Sequence, residues 1–359
     1  MADVKKDHAK RLRYALIALV FVGTALNYVD RQVLALLKPT LEAEFNWSDQ
    51  EFAHLGSAFQ LTAAASVLFV GWLVDRFGVR AAYGGAVAIW SLAGIAHAFA
   101  ATVGQFLAAR IVLAAAESIN TPAAVKAAAQ YLPLKERSLG LGLVNTAPNI
   151  GAVLTPLLIP PFALAFGWQA AFIVTGALVF IWLAFWLPAT RHLAPVEAPA
   201  PVPIQSDEKK EGGKLLPWMT ELFSDRRTWA VAGAKALTDM VWWFMLFWTP
   251  DLFSRVFKMS QAELGGPIAV IYSMAALGAL SSGFAFPMLL NRGLSPNAAR
   301  KASMLFYSVL ILPIPLALNV DSPWAAAGLI GLALFAHGAG RRFDQPERDA
   351  RGVRVVAIG

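Results

Sequence analysis

Residues 71–80 read GWLVDRFGVR, with Asp75, Arg76 and Arg80 set between two stretches that carry no Asp, Glu, Lys or Arg at all, 52–73 and 81–101. Each flank is long enough, at about 1.5 Å per helical residue, to cross a hydrocarbon core roughly 30 Å thick. Further apolar runs follow outward in both directions: 14–37 before them, then 103–129, 139–164, 168–187, 229–254, 266–290 and 302–319. A tenth run, 323–337, is too short to span. Backbone amides in lipid must be satisfied within their own segment, so these runs are expected to be helices despite internal prolines such as Pro148, Pro156, Pro160 and Pro161.

Composition agrees. Of 359 residues, 57% are hydrophobic and 15% charged, with mean hydropathy +0.55, too little polar surface to coat a soluble protein of this size. The net charge is +7, with no basic aromatic surface that would suit a nucleic acid. The lack of cysteine excludes disulfides, thiolate metal sites and thiol catalysis. No P-loop, HExxH or metal-ligand cluster is present, so neither an enzyme nor an ATP-driven pump is expected, and no cofactor or metal. Lys5, Lys6, Lys10, Arg11 and Arg13 precede a run long enough to stay in the membrane, unlike a cleaved signal peptide.

Charge alternates between loops. The N-terminus, 75–80, 135–137 and 292–301 are rich in Lys and Arg, whereas 38–51 sets Glu42, Glu44, Asp49 and Glu51 against Lys38. The positive-inside rule then places the N-terminus in the cytoplasm. Residues 188–228 are Pro-rich and then charged, and read as a cytoplasmic linker after six helices. Three parts flank it: a six-helix bundle over 1–187, an incomplete second bundle over 229–337, and a polar tail over 338–359.

The 71–80 sequence resembles the G-x-L-x-D-R-x-G-x-R loop signature of the major facilitator superfamily, which lies between its second and third helices. Gly71 and Gly78 are expected to allow close helix approach and a tight turn, and Asp75, Arg76 and Arg80 to pair at the cytoplasmic rim as a gating loop. A degraded echo, Gly283 followed by Asn291, Arg292, Gly293, Arg300 and Lys301, falls at the matching place in the second half. NYVDRQVL (27–34), RIVLAAAESINTP (110–122), FGWQAAFIVTGALVFIW (166–182) and LTDMVWWFMLFWTP (237–250) resemble the anion:cation symporters, hexuronate transporters above all. The resemblance implies the superfamily's all-α membrane fold, of which the apolar runs supply about nine full spans and a partial tenth. It also implies proton-coupled symport of a small organic anion, such as a hexuronate or other sugar acid, by a monomer in a bacterial inner membrane. The alternatives are a non-transporting membrane sensor and a non-functional truncated fragment.

Charges inside spans cost several kcal/mol and need a reason. Asp30 and Arg31 lie roughly 7–8 Å from the middle of the first span, Arg110 roughly 9 Å from the middle of the fourth on the same side, and Glu117 near its middle. Arg110 and Glu117, two turns apart, share a face. Arg31 and Arg110 are candidate anion ligands, and Asp30 and Glu117 candidate proton carriers. Asn145 and Asn149 are candidate donors to sugar hydroxyls, and Trp243 a stacking surface. Lys126 is expected to snorkel, and Lys235 to pair with Asp239 one turn on. The arginine-rich, unapolar tail after Gly338 is expected to be a frameshifted or mistaken gene end.

Overall fold

The computed structural model describes residues 2–191, 193 and 223–340; most of the expected linker and of the tail lies outside them, and the described ends of the linker, 188–191 and 226–228, are helical rather than linker. Among the described residues there is no strand. Ten α-helices follow one another among the described residues: α1 (Ala2–Phe45), α2 (Asp49–Ala96), α3 (Val103–Glu117), α4 (Asn120–Tyr131), α5 (Leu134–Phe166), α6 (Trp168–Arg191), α7 (Arg226–Val256), α8 (Gly265–Asn291), α9 (Pro296–Ile311) and α10 (Pro323–Gly340). Among the described residues, seven helical stretches are long and apolar enough to cross a membrane.

The second and third expected spans are the two arms of α2. It is interrupted at Gly78, where φ is 76° and ψ 155°. That backbone suits glycine and strains any residue with a Cβ. The fourth span is two helices, α3 and α4, separated at Ser118 and Ile119. Pro122 explains the break: it has no N–H for the carbonyl four residues back, and its ring crowds that turn. The ninth ends early, as α9 gives way to a short 3₁₀ turn, Ile314–Leu318, that begins after Pro313.

The chain divides into two compact units, Met1–Glu197 with Phe247–Tyr272, and Ala198–Leu246 with Ser273–Gly359. The first is built around Phe59, Tyr83, Val87, Trp90, Leu113 and Trp186, all 1% exposed or less. Trp182 and Trp186 stack at 5.2 Å, and Tyr83 meets both edge to face with ring centroids 5.1–5.2 Å apart. In the second unit α8 and α10 touch through small residues. A Cβ at Gly278 would collide with the backbone of Phe335, so the two helices approach as closely as only glycine permits.

One turn is built twice. Asn46 (φ 59°) leads to Ser48 and Glu51, and Lys258 (φ 51°) to Ser260 and Glu263, at identical spacing. Ser48 and Glu51 form a reciprocal capping box at the start of α2. Before α8, the hydroxyl and amide of Ser260 donate to Glu263 over 2.7 and 2.8 Å and hold that exposed carboxylate below its ordinary range. This recurrence in the two halves is independent of the loop motif and its echo.

Candidate functional site

The middle of α1 brings Asp30 and Arg31 against α3, which carries Arg110 and Glu117. Arg31 Nε donates to Glu117 Oε2 at 2.8 Å. Arg110 Nη2 donates to the Arg31 carbonyl oxygen at 3.1 Å. Arg110 is wholly buried, Glu117 is 1% exposed and Asp30 5%. The four expected residues therefore share one buried cluster, with Arg31, not Arg110, as the partner of Glu117.

One ring faces both like-charged guanidiniums. Phe59 of α2, itself fully buried, lies 5.3 Å from the Arg31 guanidinium carbon and 4.5 Å from that of Arg110. The face of an aromatic ring is negative and attracts both cations. Tyr28 lies 5.5 Å from Arg31, and Phe247 5.9 Å from Arg110.

The cluster leaves bonding capacity unused. Arg110 Nε and Nη1, Glu117 Oε1 and Asp30 Oδ2 are buried and without hydrogen-bond partners. Unpaired buried donors are costly, and an arginine fork satisfies them best with a carboxylate. The formal charges of Asp30, Arg31, Arg110 and Glu117 cancel. A bound monoanion would leave one negative charge, and a proton on either carboxylate would remove it.

The other expected residues are placed elsewhere. Asn145 is exposed and Asn149 half-buried on α5, and no hydrogen bond joins either to the charged cluster among the described residues. Trp243 is half-buried on the part of α7 that belongs to the second unit. Lys235 donates to Asp239 at 3.1 Å, as the spacing predicts. Lys126 does not snorkel alone, because it forms an ion pair with Asp75 of the 71–80 loop. Arg80 donates to the Leu187 carbonyl at 3.0 Å through Nη2. Asp75, Arg76 and Arg80 are exposed. Gly78 makes the expected turn, but a Cβ at Gly71 would meet nothing within 4 Å, so no close approach requires that glycine among the described residues.

Sequence reading missed Phe59, one of several aromatics in an apolar run. It also missed the network at the α3–α4 break. There Tyr83 donates to Asn120 Oδ1 at 2.5 Å, and Asn120 Nδ2 donates to Thr24 Oγ1 at 3.3 Å.

A helical membrane protein with a buried, charge-balanced cluster in its first bundle is the architecture of a solute transporter. The model of the Major Facilitator Superfamily matches residues 20–341, and the chain belongs to that family. It is thus a membrane transporter and not an enzyme. The chain is 28% identical over 338 residues to the hexuronate transporter of Escherichia coli (strain K12), covering 92% of this chain and 78% of that protein. It is 27% identical over 294 residues to the galacturonate transporter of Dickeya chrysanthemi, covering 80% and 85%. Among solved structures, the inward-facing, unoccupied bacterial homolog of the human lysosomal transporter Spinster superposes with a TM-score of 0.76. It is 20% identical, over 93% of this chain and 74% of that one. The D-xylose–proton symporter gives 0.65 at 13% identity, over 92% and 81%.

Proposed function

We propose that this protein is a secondary transporter that carries a sugar acid, such as a hexuronate, with a proton across a bacterial inner membrane, its N-terminus in the cytoplasm. The observation that carries the reading is Arg110, buried with two guanidinium nitrogens unpaired beside carboxylates that also have free oxygens. The sugar-acid carboxylate docks on Arg110, and Glu117 or Asp30 takes the proton that keeps the loaded site neutral. An uncompensated charge in low dielectric is expensive, so anion and proton move together. The names of the hexuronate and galacturonate transporters support the substrate class. Basic 75–80 and 292–301 loops support the orientation.

The test is uptake of labelled glucuronate, galacturonate and related acids into proteoliposomes, with and without an imposed pH gradient. The parent chain is expected to accumulate at least one of them only with the gradient. Arg110→Ala is expected to abolish uptake and Arg110→Lys to restore little, because a point charge does not reproduce the bidentate fork. Undiminished uptake by Arg110→Ala shows that the anion docks elsewhere.

A further inference from the structure

A second charged cluster lies beyond the first, toward the end of the protein opposite the 75–80 loop, and nothing in the anion site uses it. Lys38, near the end of α1, is 1% exposed. Its ammonium donates to Asp251 Oδ1 at 2.6 Å, Asp49 Oδ1 at 2.9 Å and Glu42 Oε2 at 3.0 Å. Arg255 closes the ring from outside. Its Nη1 and Nη2 donate to the two oxygens of Asp49 at 2.8 and 2.7 Å, and Nη2 also reaches Glu42 Oε1 at 2.7 Å. Its Nε stands 3.0 Å from Asp251. The Glu42, Asp49 and Asp251 carboxylates lie within 4.8 Å of one another, a spacing that demands a cation, and the Lys38 ammonium supplies it.

The cluster joins elements far apart in the chain. Lys38 and Glu42 are on α1 and Asp49 on α2, in the first half, whereas Asp251 and Arg255 are on α7, in the second. Below the charges, Phe52 and Trp248 meet edge to face at 5.6 Å, one from each half, and Lys38 lies 5.3 and 5.5 Å from their rings. Beside them Gln261 donates to the Leu36 carbonyl at 2.8 Å and accepts from Thr40 at 2.9 Å. The repeated turns described above bring these groups together, since Asn46–Glu51 follows one arm and Lys258–Glu263 the other.

We infer that Lys38 is the centre of a latch that shuts this end of the transporter, tying the first half to the second through Asp251 and Arg255. A carrier built of two repeats opens one end at a time by rocking one repeat against the other. A seal for such a motion must be firm when closed and release without leaving orphaned groups. The Lys38–Asp251 pair, 1% and 10% exposed, meets both needs. Closed, it is strong and intolerant of a missing partner; parted, each charge is hydrated. A purely apolar contact would instead expose its surface to water on opening.

The chain contains no cysteine, so one introduced thiol reports without background. Ala35, one turn deeper on α1 and wholly buried, is the reporter. The rate at which a membrane-impermeant maleimide labels Ala35→Cys is measured on the purified full chain, alone and combined with Lys38→Gln or Arg255→Gln. Each added substitution is expected to raise the rate about tenfold or more, equivalent to weakening closure by about 1.4 kcal/mol. Thermal unfolding confirms that the variants are folded. An unchanged rate in folded Lys38→Gln overturns the latch. Should that variant not fold, Arg255→Gln, whose side chain is 45% exposed, decides by the same criterion. Labelling needs no substrate, so failure of the latch is distinguishable from failure of the sugar-acid reading.

Discussion

Glu117 has two oxygens with different fates. One accepts from Arg31, and the other is buried without a partner. A proton on the free oxygen removes the negative charge while Arg31 still holds the first. Glu117→Gln keeps the shape and a neutral side chain but ends the exchange of protons. It is expected to lose accumulation of substrate driven by a pH gradient, while exchange of labelled for unlabelled substrate across proteoliposomes persists. Accumulation equal to the parent's would remove Glu117 from the proton path and leave Asp30. At this scale the sequence was informative, because a charge within an apolar run is conspicuous and its spacing gives depth and face. Pairing was not legible. Arg31 and Arg110 are chemically equivalent in the sequence, and only the packing of α1 against α3 gives Glu117 to Arg31. Phe59 carried no signal at all, since its role comes from the two cations set on its ring.

Among the elements, the break between α3 and α4 has the clearest consequences. Pro122 interrupts the helix just past Glu117, and Asn120 anchors the interruption between Tyr83 and Thr24. Tyr83 is fully buried, so Asn120→Ala leaves its hydroxyl without that acceptor. The expected cost is about 1–3 kcal/mol, the usual penalty for a buried polar group deprived of its partner. Thermal unfolding followed by tryptophan fluorescence should show a clearly lower midpoint than the parent. An unchanged midpoint would mean that the break needs no polar anchor. The sequence reading treated 103–129 as one span because apolarity is continuous through the break. Hydropathy registers whether a segment prefers lipid, and it does not register where its backbone bonding lapses. Gly78 is the same lesson in reverse: the charges at 75–80 marked a boundary, yet one glycine suffices to make it, with helix on both sides.

For the whole molecule, the proposed function sets a balance between ligand and proton. The four charges of the site cancel, so one monoanionic sugar acid calls for one proton. Uptake of a hexuronate is then expected to respond to a pH gradient and to be indifferent to membrane potential. Valinomycin and a potassium gradient impose the potential in proteoliposomes. Uptake that follows the potential would require a stoichiometry other than one to one.

The sequence by itself determined that this is an all-helical membrane protein, which residues carry charge into the apolar region, and the superfamily. Each rests on composition, period or a contiguous motif, properties that exist before the chain folds. Tertiary structure decided the rest. It assigned Glu117 to Arg31, put Phe59 beneath both arginines, and turned Lys126 onto Asp75. It also gathered Lys38 with Asp251 and Arg255, residues more than 200 positions away in the chain. Those relations depend on which helix faces which, and a one-dimensional pattern fixes the apolar face of a helix without naming the neighbour that covers it.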